Sequence, residues 1–424
     1  MNTTIKQLNE AIRHTREARE RVLSRSMDTI ISALAQTAKN WLEPDSPWRR
    51  RAIEQAPART GFSPQMINEA VTLTFGAVTE DAFETLLREE VGGRRQFHGP
   101  ELIAHFLAGN VPAPGINSIC FGLLLKSANI VKSSARDPVF PALFVESLRE
   151  VDAELADCVA VLDWRRDERE LTRAALDAAD AVIAYGADET VSELRRLARA
   201  DATFLGYGHK LSFAVIAKEA MTANNLLSLT EAAAFDASVY DQQGCLSPHV
   251  FYVEEGGELS PRAFAEALAK AMAAYAERVP LGQFSIEESA QIAKLRSAYE
   301  FRAASDNSVA VWAGPGSWLV VYEEDPMFTV SCLNRTVFVK PIKHLKSVPQ
   351  LVRRYASNLS TVGIAPICPA SSGMNERVDT FAAELVKLGV NRVCPIGQMQ
   401  RPPLWWYHDG RPNIANLVRW ADAE

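Results

Sequence analysis

Apolar residues recur at intervals of three and four through the first part of the chain, as at Met27, Ile30 and Leu34. This spacing places their side chains along one face of a helix. Residues 5 to about 90 are therefore predicted to form a helical lead-in. The stretch 44–47 begins and ends with proline, and it predicts a break between two helices.

The pattern changes near residue 101, where short apolar runs of strand length begin to alternate with helical stretches. Strands that alternate with helices build a parallel sheet, because each helix carries the chain back to the end of the sheet at which the previous strand began. The predicted fold class is therefore α/β. The strands predicted in this block are residues 102–107, 119–125, 130–132, 158–162 and 181–185.

A second block with the same alternation begins at about residue 213, without an internal repeat or a low-complexity linker before it. Two of its helices have clear start signals. Ser260 precedes Pro261 as a cap, and Ser285 to Glu288 form a capping box. The strands predicted in this block are residues 250–253, 309–312, 318–322 and 337–339.

Composition limits the classes of partner. The chain has 424 residues, of which 47% are hydrophobic and 23% charged, and its net charge is -7. Such a chain is globular and long enough for two domains, and it offers no basic field for nucleic acid or an anionic membrane. No apolar run approaches the length of a membrane span. The sequence therefore predicts a reduced, cytoplasmic protein.

The six cysteines include no CxxC pair, which argues against a zinc knuckle or a redox dithiol, and no metal is expected. Cys245 lies between Gln-Gly and Ser-Pro in the turn-forming stretch YDQQGCLSPH. A thiol on exposed turn backbone is suited to act as a nucleophile, and the alternative is an inert cysteine. His249 could share a helix face with Cys245, although Pro248 disfavours helical geometry there.

Polar residues follow two of the predicted strands. Asn110 comes after the apolar run 102–107, and its amide could either donate to a developing oxyanion or only shape an Asx-turn. Lys132 closes the next strand and is followed by Ser134 and Arg136. The carboxyl ends of parallel strands are where open α/β sheets bind nucleotides. Because Ala135 stands where an acid would bind both ribose hydroxyls, this stretch favours NADP(H) over NAD(H); the alternative is a solvated lysine.

Two further segments contain glycine turns. Gly186 follows the strand 181–185 and precedes a helix, whose free N–H groups could hold a phosphate, although most such turns bind nothing. His209 lies in the glycine-rich segment GYGHKLS. It could act as a general base or help to activate Cys245, because imidazole titrates near neutral pH. An ordinary hydrogen-bonded loop histidine is the alternative.

Taken in order, these segments resemble the aldehyde dehydrogenase superfamily and, within it, the LuxC-type acyl-CoA reductases known from bacterial bioluminescence operons. The resemblance spans roughly residues 95–420, and the interval from Asn110 to Cys245, 135 residues, is comparable to that between oxyanion asparagine and nucleophile in the superfamily. The motifs that carry it are AGNVP, NIVKSSARDP, VIAYGADET, GYGHKLSF, DQQGCLSPH, AGPGSWLVVYE, LNRTVFVKPI and CPIGQMQRPPLWWYHDGRPNI.

The resemblance implies an aldehyde dehydrogenase-like fold with a Rossmann-type cofactor domain and an α/β catalytic domain. It implies reduction of a fatty acyl-CoA or other acyl thioester to the aldehyde by NADPH, through an acyl group on Cys245 and with release of CoA. The implied domains are residues 1–213 for the helical lead-in and NADP(H), 214–395 for catalysis, and 396–424 for a segment packed on the cofactor domain or in an oligomer interface.

By the same resemblance, the Asn110 amide and the Cys245 backbone N–H stabilise the oxyanion. Lys132 and Ser134 hold the adenosine ribose and its phosphate, with Arg136 adding positive charge. Gly186 admits the pyrophosphate. Expected partners are an acyl-protein synthetase or an acyl carrier, and a second copy of the chain in a homo-oligomer.

Two departures from the superfamily pattern bear on the reaction. The segment 206–210, which matches the ELGGK motif of hydrolytic members, contains no acid, so water attack on the acyl-enzyme is expected to be slow. No FGP motif is present, and Asn334 and Arg335 are candidates for the nicotinamide ribose only by position. Two alternatives stay open: an acyl-binding subunit with little turnover, and an acylating aldehyde dehydrogenase working in the oxidative direction.

Overall fold

A computed structural model of the protein describes residues 3–92, 97–113, 115–316, 318–366 and 376–421. The chain divides into two compact units, each made of segments that are separate in sequence. Unit 1 comprises Met1–Thr60, Ile67–His209 and Pro403–Glu424, and unit 2 comprises Gly61–Met66 and Lys210–Pro402. The division by function at residues 213 and 395 stays a prediction, and Cys368 lies outside the described residues.

The helical lead-in is confirmed. It consists of α1 (Ile5–Val22), α2 (Met27–Leu42), α3 (Pro47–Gln55), α4 (Pro57–Thr60), α5 (Pro64–Gly76) and α6 (Glu80–Glu90). A capping box starts α1, because Thr4 Oγ1 accepts the Gln7 N–H while the Gln7 side chain accepts the Thr4 N–H. Ser46 caps α3 ahead of Pro47, so the proline stretch ends one helix and starts the next.

A five-stranded parallel sheet forms the core of unit 1. After α6 the chain forms β1 (Phe97–His98), β2 (Leu102–Phe106), α7 (Gly115–Leu124), β3 (Ala128–Lys132), α8 (Val139–Val151), α9 (Ala153–Asp157), β4 (Val159–Leu162), α10 (Arg169–Ala178), β5 (Ala181–Tyr185), α11 (Asp188–Leu197) and β6 (Thr203–Tyr207). The sheet order is β4-β3-β2-β5-β6. Strands β3 and β4 are added on one side of β2, and β5 and β6 are added on its other side. The carboxyl ends of β2 and β5 therefore flank the crevice where such sheets bind ligands.

One predicted strand of this unit is wrong, because residues 119–124 are the last six residues of α7 and Leu125 directly follows the helix. All residues of α7 except Asn117 are buried, so the helix has no polar face to reveal a helical period. An apolar run without a period cannot be told from a buried strand. The other four predicted strands of this block are confirmed within a few residues, and β6 was not predicted.

A buried histidine lies at the centre of this sheet. His105 of β2 is fully buried, with Nδ1 2.8 Å from Ser118 Oγ and Nε2 3.0 Å from Asn129 Oδ1. Asn129 Nδ2 donates to the Ser127 carbonyl, so Oδ1 is an acceptor and His105 Nε2 carries the proton. Burial lowers the pKa of His105 to about 4, and the ring is neutral in the folded protein at neutral pH.

Between pH 7 and pH 5, the titration of His105 is expected to lower the free energy of unfolding by about 2 kcal/mol. Its pKa is about 4 when folded and about 6.5 when unfolded. Acid therefore protonates the unfolded chain first, so the stability is intact above about pH 6.5 and is lost as the pH falls towards the folded pKa. Urea unfolding of wild type and His105→Gln at both pH values measures this. Equal losses in the two proteins would contradict it.

Unit 2 is built on a seven-stranded sheet in the order β13-β12-β7-β8-β11-β10-β9, in which only β9 is antiparallel to its neighbour. The strands are β7 (Leu211–Ile216), β8 (Pro248–Glu254), β9 (Val309–Ala313), β10 (Leu319–Glu323), β11 (Thr336–Ile342), β12 (Leu359–Ala365) and β13 (Arg392–Pro395). The helices are α12 (Leu226–Ser238), α13 (Pro261–Arg278), α14 (Ile286–Ala303), α15 (Val348–Val352) and α16 (Glu376–Leu388). Short 3-10 turns cover Lys218–Ala220, Val239–Gln242, Leu345–Ser347 and Arg353–Asn358.

The predicted strands of the second block are confirmed, as are both predicted helix starts. Ser260 Oγ accepts the Ala263 N–H ahead of α13, and Ser285 and Glu288 form a reciprocal capping box at the start of α14. Within the described ranges no helix is long and apolar enough to cross a membrane. The same residues contain no group of three or more His, Cys, Asp or Glu side chains that could hold a metal ion.

Glu90, the last residue of α6, fastens the carboxyl-terminal segment 403–421 within unit 1. Its carboxylate accepts the backbone N–H groups of Asn413 at 2.7 Å, Ile414 at 2.7 Å and Ala415 at 3.1 Å. Beyond these residues β14 (Arg419–Trp420) pairs with β1 in antiparallel fashion. A segment from the end of the chain thus completes a unit that the beginning of the chain starts.

Candidate active site

Cys245 lies in unit 2 on a turn that leads into β8. The Ser247 N–H donates to the Gly244 carbonyl at 3.0 Å and closes this turn, and Cys245 is partly exposed. His249 is the second residue of β8, so Cys245 and His249 do not share a helix face, in agreement with the presence of Pro248. The Ser331 N–H donates to His249 Nδ1 at 3.1 Å. This buried histidine therefore links β8 to the segment that precedes β11.

The backbone just before the turn is left-handed. Tyr240, Asp241 and Gln242 have φ angles of 54°, 50° and 63°, a conformation that costs an L-residue roughly 1–2 kcal/mol. The Gln242 amide holds it in place, since Nε2 donates to the carbonyls of Pro248 at 2.9 Å and Thr336 at 2.8 Å, while Oε1 accepts the Thr336 N–H at 2.8 Å. Strain of this kind persists only where neighbours fix the backbone, and it concentrates at functional sites.

A second left-handed turn, formed by Leu333, Asn334 and Arg335 with φ angles of 65°, 54° and 59°, packs against the first. Arg335 Nη2 lies 2.8 Å from Asp241 Oδ1, and Gln243 Nε2 donates to Asn334 Oδ1 at 2.7 Å. Arg335 is fully buried on this ion pair. The geometry thus gives Arg335 an internal contact with residues 240–247, the Cys245 loop, in place of the cofactor contact suggested by its position in sequence.

Two more hydrogen bonds hold the turn from the rest of unit 2. The Ser212 hydroxyl donates to the Cys245 carbonyl at 2.7 Å and itself accepts the Thr361 N–H at 3.1 Å. Gln400 Nε2 donates to Ser247 Oγ at 3.0 Å. Sequence reasoning missed both supports, because a serine at a strand start and a glutamine in a loop have no local signal that names a partner more than 30 residues away.

A short amino-terminal segment also reaches this loop. The Tyr240 N–H lies 3.1 Å from Met66 Sδ, and the Gln283 N–H donates to the Gly61 carbonyl at 2.6 Å. Gly282 donates its N–H to Asp241 Oδ2 at 3.0 Å. The Cys245 loop therefore contacts segments from widely separated parts of the sequence, and each of them restricts its backbone.

In unit 1 the structure brings Asn110, Ser134 and Arg136 to one edge of the parallel sheet. Asn110 is exposed on irregular backbone beyond β2, as expected. A Cβ atom on Gly109 would lie 2.4 Å from Ser134 Oγ and 2.9 Å from Arg136 Cβ, so only glycine permits this approach. Buried Asp137 ties the two loops together, because Oδ2 accepts the Ala113 N–H at 3.0 Å. Sequence reasoning passed over this residue.

Lys132 ends β3 at the same edge. Burial lowers the pKa of its ammonium group, and the charge of nearby Asp163 opposes that shift. Ser134 is half-buried and Arg136 is exposed, so positive charge and a hydroxyl are available at the carboxyl end of this strand. These residues, at a sheet edge with a glycine-lined close approach, fit the phosphates and ribose of a dinucleotide.

Gly186 follows β5, next to β2 in the sheet, and precedes α11. The first acid of that helix is already bound: Asp188 Oδ1 accepts the His209 N–H at 2.8 Å, and a Cβ on Gly208 would lie 2.1 Å from the same oxygen. The His209 side chain is exposed. Cys245 and the other candidates thus belong to different units, and their catalytic and binding roles stay predictions.

The family model for LuxC acyl-CoA reductases matches residues 22–420. The chain belongs to this family. Among its relatives, the long-chain acyl-protein thioester reductase of Aliivibrio fischeri is 24% identical, with 94% of this chain and 82% of the relative covered. The enzyme of the same description from Vibrio harveyi is 25% identical over 94% of this chain and 83% of the relative.

Solved structures show the fold of this LuxC-family chain. A NAD-dependent benzaldehyde dehydrogenase from Corynebacterium glutamicum superposes with a TM-score of 0.70 at 12% identity, over 99% of this chain and 90% of that one. Glyceraldehyde-3-phosphate dehydrogenase GapN from Methanocaldococcus jannaschii, complexed with NADP, superposes with a TM-score of 0.68 at 10% identity, over 99% and 94%. The predicted aldehyde dehydrogenase-like fold is confirmed. Family and fold together support reduction of an acyl thioester to an aldehyde with a nicotinamide cofactor.

Proposed function

We propose that this LuxC-family protein uses NADPH to reduce a fatty acyl-CoA or a protein-bound acyl thioester to the aldehyde, through an acyl group carried on Cys245. The observation that carries the proposal is the Cys245 loop, where a partly exposed thiol follows strained backbone at residues 240–242 and the side chains of Gln242 and Ser212 hold the chain on either side of it. A thiol that served only the core would need no such support. The names of the relatives add protein-bound acyl groups to the candidate donors.

In the first step the Cys245 thiolate attacks the carbonyl carbon of the thioester. A new carbon–sulfur bond forms, the carbonyl oxygen becomes an oxyanion, and the Asn110 amide and the Cys245 backbone N–H donate to it. Collapse of this intermediate breaks the original carbon–sulfur bond, and the donor thiolate leaves and takes up a proton. The acyl group is then a thioester of Cys245.

The second step turns the acyl-cysteine into aldehyde and free thiolate. A bound reduced nicotinamide supplies the hydride for this chemistry. The Asn110 amide donates again while the carbonyl oxygen is negative, and the Cys245 sulfur is the leaving group. His209 is the proposed general base for the thiol. The segment 206–210 itself contains no carboxylate to activate water.

Lys132, Ser134, Arg136 and Gly186 are the proposed cofactor contacts. We expect Lys132→Ala to raise the KM for NADPH about 10- to 100-fold, because the substitution removes one hydrogen bond to a charged group. The KM of the acyl donor should change little. Steady-state kinetics with each substrate varied in turn measures this, with exposed Lys294→Ala as the matched control. Equal changes in both KM values would argue against a cofactor contact.

The deciding experiment follows NADPH and NADH absorbance with acyl-CoAs of graded chain length and with acylated carrier protein, and traps the aldehyde for identification. Aldehyde formation with NADPH supports the proposal, and the rates rank donors and chain lengths. Cofactor binding without aldehyde from any donor would support an acyl-binding subunit instead. Turnover only from aldehyde and CoA towards the thioester would support the oxidative direction.

A further inference from the structure

The ion pair of Asp241 and Arg335 stands out because it is wholly buried within unit 2. Asp241 retains 5% of its side-chain exposure and Arg335 none. Removing two charges from water costs about as much as their attraction returns, so apolar residues of similar volume often stabilise a protein equally well. A contribution to stability therefore does not explain why this pair is present. Its position next to the Cys245 loop suggests a role in fixing the backbone of that loop.

The pair joins the two left-handed turns to a third segment. Arg335 Nε donates to Asp241 Oδ1 at 3.0 Å, and Nη1 donates to the Val279 carbonyl at 2.9 Å. Asp241 Oδ2 accepts the Gly282 N–H at 3.0 Å. The planar guanidinium fixes both direction and distance, which a point charge such as an ammonium group cannot do. Asp241 is four residues before Cys245. A movement of the ion pair would therefore move the backbone that leads into the turn at Cys245.

The next residue extends the same arrangement. Both ends of the Gln242 side-chain amide bond the backbone of Thr336, which directly follows Arg335. Nε2 donates to the Thr336 carbonyl, and Oε1 accepts the Thr336 N–H. The left-handed backbone at 240–242 is thus held at two of its strained residues, by the ion pair at Asp241 and by the side-chain amide at Gln242. Substitution of a partner lets the turn relax towards the right-handed backbone that its residues prefer.

We propose that Asp241 and Arg335 are positioning residues for acyl transfer, which hold the left-handed turn so that the Cys245 sulfur meets the thioester carbonyl at the angle of attack. This role rests on the proposed function. Attack on a bound thioester needs defined geometry, and a misplacement of about 1 Å costs about 100-fold in rate. Alkylation by a small free reagent needs no such geometry, so the two reactions of one thiol report position and reactivity separately.

The experiment compares wild type with the double variant Asp241→Asn/Arg335→Met. Asparagine tolerates the left-handed backbone and keeps an acceptor for the Gly282 N–H, and the change at Arg335 leaves no unpaired buried charge. Stopped-flow release of CoA from an acyl-CoA measures acylation, and iodoacetamide labelling followed by mass spectrometry measures thiol reactivity. Urea unfolding measures stability. Glu323→Gln/Lys340→Met is the matched control, because Lys340 Nζ and Glu323 Oε2 form another buried pair of the same unit at 2.8 Å.

We expect the double variant to fold with stability near that of wild type, to alkylate within about threefold of it, and to acylate about 100-fold more slowly. The control pair should leave the ratio of acylation to alkylation unchanged. Wild-type acylation in the Asp241/Arg335 variant would overturn the positioning role alone. An equal fall in acylation and alkylation would also overturn it. If no thioester acylates the wild type, the proposed function fails first and this role with it.

Discussion

Replacing Cys245 by alanine is expected to abolish both acylation by the thioester and aldehyde formation, by a factor on the order of 10⁴ or more, since loss of the nucleophile in other covalent enzymes costs up to about 10⁶. Cys245 supplies the only thiol of residues 240–247, and the Ser247 hydroxyl, which accepts a hydrogen bond from Gln400, is a much weaker nucleophile than a thiolate. Intact-mass spectrometry after incubation with acyl-CoA, together with the absorbance of NADPH, measures the two losses. Binding of NADPH should be unchanged.

Cys332→Ser provides the matched control for this prediction. Cys332 is also partly exposed and lies in unit 2, but burial raises the pKa of its thiol and its Sγ is 3.6 Å from Thr336 Oγ1. Serine keeps that hydrogen bond with nearly the same volume, so we expect activity within about threefold of wild type. Aldehyde formation that survives in Cys245→Ala would show that another group carries the acyl chain.

Asn110→Ala is expected to lower kcat about 10²- to 10³-fold, because the amide is the proposed side-chain donor to the oxyanion of both tetrahedral stages. Asn110 is exposed on a loop, so its removal should change the unfolding free energy little. Single-turnover aldehyde formation measures the chemical step, and urea unfolding checks the fold. Asn110→Asp should be at least as slow, since a carboxylate repels the oxyanion.

The exposed Asn416→Ala is the control for a change of asparagine in the same unit. Iodoacetamide labelling of Cys245 should be unaffected by either change, because the asparagine acts on the carbonyl oxygen and not on the thiol. A rise in the KM of the acyl donor without a change in kcat would place Asn110 in substrate binding. It would then have no part in stabilising the transition state.

Local signals predicted most elements of the fold. The caps at Ser260 and Ser285 placed two helix starts to the residue, because capping depends on positions only three apart. Failures came where burial is complete or where glycine interrupts the pattern. Helix α7 is apolar on nearly all sides. The glycine-rich segment 206–210 includes the last two residues of β6 and leads directly into β7, and its glycines disguised both strands.

The candidate site shows a different limit. Cys245 and Asn110 were visible in the sequence because turn-forming neighbours mark them. The residues that fix Cys245 were not, since Asp241 and Arg335 lie 94 positions apart and neither stands in a pattern that names the other. Left-handed backbone at three successive non-glycine residues is equally hidden, because tertiary contacts impose it against the preference of the residues themselves.

The division of the chain into interleaved segments has a consequence for its synthesis. Unit 1 takes its last piece from residues 403–421, which Glu90 binds through three backbone N–H groups, and unit 2 takes Gly61–Met66 from the beginning of the chain. A nascent chain on the ribosome therefore cannot finish unit 1 until residues 403–421 have emerged. The same connectivity means that a gene cut at residue 209 yields no fragment that contains either whole unit.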